Sequence, residues 1–343
     1  MRKLVSLVKF SLDVSLMYCI ISSMICDSIS AQKDRIVWEA KKIDSEKYFY
    51  EHLGNRISGS SVFPELFLNR MSSISNEINN EIEQGVVVSN KSIGLIFHIL
   101  YTNDIEEVKL KIQSQIDALN RDFSLSDRIE SHPNDKNGQY ASLATNSKIS
   151  FYQVNTNATG TFGNGIATLR NSAKRWKEYD EMKRSANLAS KTQLNSEYIN
   201  IWVVEFENEI ASYASSPFQD DSLKGIVIDA EYFGVNLQNS NGSEQGKLLT
   251  HLMGNYFGLK ALHNEYDVCA DDGVADTPIH NAPNIGTPRG NHFTTCPGQN
   301  RATEMTMNFM DSTNDKGQYM FTKGQVDRMH AVINSAYKNL LIN

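Results

Sequence analysis

At Ser92 the chain changes character. Ser92-Ile93-Gly94-Leu95-Ile96-Phe97-His98-Ile99-Leu100-Tyr101 is a strongly apolar run of strand length, and a helical pattern follows it from Ile105 to Phe123. In that helix Val108, Ile112, Ile116 and Leu119 recur at three- and four-residue spacing and mark one buried face. Lys148 to Val154, Tyr198 to Phe206 and Gly225 to Ile228 read as further strands, and Ser172 to Ser190 as a charged surface helix or loop. Ser243 to Leu259 reads as a helix with Ser243 at its N-cap. A last helix runs from Lys323 to Leu341, with Val326, Met329, Val332, Ile333 and Tyr337 on its inner side. Strands and helices mixed in this order predict an α+β fold rather than a regular βαβ repeat.

The 343 residues, 40% hydrophobic and 21% charged, suffice for one large domain or two modest ones with real cores. A formal charge of -7 and the absence of any Lys/Arg run exclude a nucleic-acid surface as the expectation. Arg2, Lys3 and Lys9 precede an apolar stretch from Leu12 to Ile25, and Ile29-Ser30-Ala31 offers a small-residue cleavage site. Residues 1–31 therefore read as an export signal, with a buried N-terminal helix as the alternative, and a secreted or periplasmic location is expected. No second apolar run approaches the roughly 20 residues that span a bilayer. Residues 32–90 form a polar, Ser-rich leader with a helical stretch near Glu65 to Glu83. Cys19 and Cys26 fall in the signal, so Cys269 and Cys296 remain, and a lone pair in an exported chain is most simply one disulfide.

Within Thr250-His251-Leu252-Met253-Gly254-Asn255-Tyr256-Phe257-Gly258-Leu259-Lys260-Ala261, His251 and Gly258 keep the frame of H-E-x-x-H-x-x-G-x-x-H. Leu252 stands at the glutamate position, and Asn255 and Ala261 stand at the second and third histidines. Three further blocks accompany this helix: Cys269-Ala270-Asp271-Asp272-Gly273-Val274-Ala275-Asp276-Thr277-Pro278, Asn308-Phe309-Met310-Asp311, and Phe321-Thr322-Lys323-Gly324-Gln325-Val326-Asp327-Arg328-Met329. Together with Ile96 to Tyr101, Ile112 to Phe123 and Tyr198 to Val204, in this order, they resemble the pappalysin group of metzincin metallopeptidases, the cytophagalysin and ulilysin type.

The resemblance implies a twisted mixed sheet with two long helices, a cleft beneath an edge strand, and a smaller irregular C-terminal subdomain. It divides residues 91–343 into an N-terminal part, 91–261, and a C-terminal part, 262–343, that carries the Cys269–Cys296 bridge and a Met-turn at Met310. It implies a zinc site as well, which these residues do not support: His251 offers one nitrogen, Asn255 a poor neutral ligand, Ala261 none, and Leu252 no base. Ser312 replaces the family's tyrosine two residues after Met310, and Ser58 in Arg56-Ile57-Ser58-Gly59-Ser60 replaces the cysteine of its switch.

Zinc is accordingly not expected, and the reading is an inactive relative whose cleft binds a peptide or protein. One alternative is an active enzyme with a metal set built on His251 and His263, completed by Asp267 or a water. Another is a structural or surface module with a vestigial cleft. His251 alone is more simply a hydrogen-bonded core histidine, and His280, His292 and His330 read as surface residues. Asp272, Asp276 and Thr277 match the family's calcium segment, with an Asp-rich turn that binds nothing as the alternative.

Overall fold

The computed structural model of the protein describes residues 63–101, 104–126, 140–154, 166–169, 174–177, 180–184, 197–207, 212–219, 221–236, 244–263, 269, 271–286, 288, 290–299 and 301–340. The export signal, Ser58, Ser243 and Asp267 lie outside them.

Strand β1, Lys91–Ile99, is the centre of a six-stranded sheet. Its side chains alternate between two covered faces, as a strand's period of two requires. Ile93, Leu95, Phe97 and Ile99 enter the main core, while Ile96 packs with Val154 on the other face. A strand buried on both sides reads as a continuous apolar run, which is why Ser92 to Tyr101 stands out in the sequence. The sheet order is β2 (Ile149–Gln153), β1, β4 (Ile199–Val204), β6 (Ile226–Asp229), β5 (Ser212–Ala214). Strand β3, Ile166–Leu169, pairs with β1 further along the same side as β2. All pairings are parallel except that of the end strand β5 with β6.

Helix α1, Phe63–Gln84, lies against the last helix, α5, Lys323–Ala336. Helix α2, Ile105–Phe123, starts at Asp104, whose carboxylate accepts the N–H groups of Glu106 and Glu107 at 2.9 and 3.2 Å. Glu106 and Glu107 in the first turn and Arg121 in the last complement the helix dipole. Val108, Ile112, Ile116 and Leu119 are buried against the sheet, as their spacing predicts.

Three expectations need correction. The charged segment around Ser172 to Ser190 is not only surface: Trp176 and Met182 (the latter in α3, Glu181–Arg184) join Leu100, Trp202 and Tyr213 in a second core on the back of the sheet. Lys183 is fully buried there, held 2.9 Å from Asp180 and donating to the carbonyl of Leu223. Helix α4 spans Lys247–Tyr256 rather than Ser243 to Leu259, because Gly246 with φ 74° turns the backbone into it and Gly258 with φ 82° ends it. Helix α5 stops at Ala336, five residues before Leu341, although its capping box of Thr322 and Gln325 forms where the sequence starts it. Strands β3 and β5, four and three residues long, carry too short a pattern to be read.

Candidate functional site

Helix α4 is fixed by buried polar groups from distant segments. The Gln115 side chain donates to the Gly246 carbonyl and accepts from the Gly234 N–H, both at 2.9 Å. Asp315 accepts the N–H groups of Gln245 and Lys247 at 2.9 and 3.1 Å, which puts a carboxylate at the helix N-terminus. The Thr250 hydroxyl donates to Asp122 at 2.6 Å. Burial pushes the Asp122 carboxyl up, against the opposing pull of Lys247 and Arg121.

His251 is 1% exposed and its Nδ1 lies 2.7 Å from the carbonyl oxygen of Phe309. A carbonyl only accepts, so Nδ1 carries the proton and the neutral ring's lone pair sits on Nε2. That is the tautomer a metal-ligating histidine adopts when its second nitrogen is oriented by a carbonyl. One turn later Asn255 is 4% exposed, and Leu252 is fully buried in the main core. At Gly254 an added Cβ would stand 2.6 Å from the Met310 sulfur, so a larger residue there would force the Met310 side chain to shift. The chain then bends at Gly258, and the Leu262 N–H bonds the Met310 carbonyl at 3.1 Å, while Ala261 is half-buried.

His263 faces Ser312 and Asp311. Its Nε2 is 3.4 Å from the Ser312 hydroxyl and its Nδ1 is 3.8 Å from Asp311 Oδ1. His280, expected at the surface, is fully buried: its Nε2 accepts the Met305 N–H at 2.9 Å and its Nδ1 lies 3.6 Å from the same Asp311 oxygen. His330 is also fully buried, donating from Nε2 to the Ser147 carbonyl at 2.9 Å, and burial pushes its pKa down. His292 is exposed, as expected, with Nδ1 2.6 Å from Asn284 Oδ1. Asp311 is the residue sequence reasoning missed. It stands in the block read only for Met310, and nothing local marks it as the meeting point of two histidines.

The acidic turn splits into two parts. Asp272 faces Thr277, whose hydroxyl is 2.8 and 3.0 Å from its two carboxylate oxygens and 2.7 Å from the Val274 carbonyl. Burial raises Asp272 to about 6. Asp276 instead accepts from the Thr322 hydroxyl at 2.7 Å and the Gly324 N–H at 2.8 Å, at the start of α5. Cys269 and Cys296 form a disulfide, with their Cα atoms 5.5 Å apart.

Comparison with known proteins agrees with this geometry. The family described as pregnancy-associated plasma protein-A matches residues 182–334. The structure of a promirolysin mutant from Tannerella forsythia superposes with a TM-score of 0.68 at 25% identity, covering 84% of this chain and 94% of that one. In sequence and fold the chain is similar to the pappalysin-type metzincins. Mature mirolysin in complex with a cleaved peptide gives a TM-score of 0.63 at 26% identity, over 74% of this chain and 96% of that chain. An extracellular metalloprotease of Arthroderma gypseum is 26% identical over 75% of this chain and 79% of its own length. One from Arthroderma benhamiae is 23% identical over 78% and 87%.

The family that this chain resembles is normally zinc-dependent, and the donor set here does not fit zinc. One imidazole nitrogen, a carboxamide and a methyl group occupy the three ligand positions, while His263 faces Asp311 and Ser312. Among the described residues no three His, Cys, Asp or Glu side chains gather to hold a metal. No described helix is long and apolar enough to cross a membrane.

Proposed function

We propose that this protein is an exported pappalysin relative that has lost zinc-dependent peptide hydrolysis and uses its cleft to bind an extended peptide. The observation that carries the reading is Leu252: the position of the general base holds an aliphatic side chain with no exposed surface, packed into the main core. Loss of general-base help alone costs ~10²–10⁴-fold in rate. Asn255 and Ala261 remove two ligands as well. The relatives named extracellular metalloproteases support export. The mirolysin complex with a cleaved peptide supports a peptide as the ligand class.

Peptide binding through the end strand uses backbone hydrogen bonds and needs no catalysis. Ser212, Tyr213 and Ala214 of β5 have no exposed surface, so a peptide must displace whatever packs on that strand. The leader, residues 32–90, precedes a peptidase-fold unit that we divide at residue 261. Its helix α1 docks on α5, with an ion pair from Lys338 to Glu77 at 2.7 Å. A calcium ion is proposed only at Asp272, Thr277 and the Val274 carbonyl, since Asp276 is committed to α5.

Elemental analysis of the purified chain and of His251→Ala, after zinc exposure and exhaustive desalting, tests the reading. The expected result is no stoichiometric zinc in either and no cleavage of a quenched peptide library. About one zinc per chain, lost in the variant, would overturn it. Such a result would favour the altered metal set with His263, whose ring would have to leave Asp311 and Ser312.

A further inference from the structure

Ser312, His263 and Asp311 stand in the order that nucleophilic acyl transfer needs. The Ser312 hydroxyl is 3.4 Å from His263 Nε2, and His263 Nδ1 is 3.8 Å from Asp311 Oδ1. The nitrogen facing the hydroxyl is the one that must accept its proton, and the nitrogen facing the carboxylate is the one that must keep its own. Both separations exceed a closed catalytic hydrogen bond, as is common before substrate tightens such a site. We propose that these three residues form a metal-independent relay that cleaves carboxylic esters in the cleft.

Asp311 is built to orient a histidine. It is fully buried, and the Asn284 N–H reaches its Oδ1 at 3.4 Å. His280 approaches the same oxygen with Nδ1 at 3.6 Å. Because the Met305 N–H donates to His280 Nε2, the neutral His280 ring carries its proton on Nδ1, facing Asp311. His280, Asn284 and His263 thus all approach the one carboxylate oxygen, Oδ1. Ser312 lies two residues past Met310, in the turn that closes under α4, and the side chain of His263 is 8% exposed.

In the first step Ser312 Oγ bonds to the ester carbonyl carbon while its proton passes to His263 Nε2. The tetrahedral adduct then breaks its bond to the alkoxy oxygen, which takes that proton and leaves as the alcohol. Water adds to the acyl-serine, giving its proton to Nε2. Collapse of that adduct releases the carboxylic acid and returns the proton to Ser312 Oγ. Ser312 and His263 touch the reacting atoms, and Asp311 is a positioning residue.

The inference rests on the proposed reading only in that the cleft remains open to a ligand. Its test is separable from that of peptide binding. Full-length protein with chelator present is treated with a fluorophosphonate probe and mapped by mass spectrometry, and p-nitrophenyl acetate hydrolysis is followed. One adduct per chain on Ser312 is expected, together with ester turnover. Ser312→Ala abolishes both, and His263→Gln slows turnover by about 10²-fold. Asp311→Asn lowers kcat with KM unchanged, in a chain whose circular dichroism matches wild type. No adduct on folded wild type, or equal turnover in Ser312→Ala, overturns the relay. Peptide binding without labelling sinks the relay alone, and labelling without peptide binding sinks only the peptide-binding reading.

Discussion

Single residues set what the site around α4 can and cannot do. Leu252 is part of the core rather than an idle substitution, so restoring the family's acid does not restore a base. Leu252→Glu places an unpaired carboxyl among apolar side chains and is expected to destabilise the fold by about 3–5 kcal/mol without producing peptidase activity. Urea unfolding and a chelator-controlled peptide assay check this, and a stable, active variant would contradict it.

Two carboxyls, Asp272 and Asp229, are raised to about 6 by burial from the ordinary 3.8. Between about pH 4 and 6 the folded chain binds more protons at these groups than the unfolded chain does. Their stabilising contribution is therefore full below about pH 4 and is lost as pH rises through 6. His98, stacked on Trp202 and pushed down to about 4 by burial, works in the opposite direction. Its contribution is full above its ordinary 6.5 and is lost as pH falls toward 4. Asp272→Asn should thus raise the melting temperature more at pH 7.5 than at pH 5. If calcium occupies the Thr277 turn, adding it at pH 7.5 stabilises wild type and not the variant. Thermal melts at the two pH values, with and without calcium, separate these outcomes.

At the scale of elements, α4 holds its place through contacts that its own sequence does not contain. Its N-terminus is capped from Asp315 and tied to α2 through Gln115 and Asp122, so the histidine frame is presented by partners about 70 to 130 residues away. Asp315→Ala leaves the buried Lys247 N–H and the half-buried Gln245 N–H without their acceptor and should cost about 2 kcal/mol. Denaturant unfolding, together with the tryptophan signal of the folded state, would show whether that loss is local. A change under about 0.5 kcal/mol would mean that another acceptor takes over.

Over the whole molecule, the mixed sheet and its helices form the main core, and a stretch outside regular elements, bridged by Cys269–Cys296, leads to the Met310 turn. Closing a loop of 27 residues stabilises by roughly 3 kcal/mol in the chain-entropy model. Replacing both cysteines by serine should lower stability by about that amount and loosen the turn that holds Ser312 and Asp311. Hydrogen exchange across 301–320 is the direct measurement, and unchanged protection there would show that the turn stands without the bridge.

The sequence by itself determined the strand and helix around Ser92 to Phe123, the α+β class, the cysteine pair and the residues missing from the zinc frame. Each of these is a local pattern or a spacing along one element, where side-chain period and loop closure act directly. Only the tertiary structure decided that His280 is buried, that His263 faces Ser312 and Asp311, and that Asp276 accepts hydrogen bonds from the start of α5. The residues that meet in these contacts lie 25, 49 and 46 positions apart, so no period carries them. What brings them together is the packing of the Met310 turn against Gly254 and of α5 against the acidic turn, and that packing exists only once the chain has closed on itself.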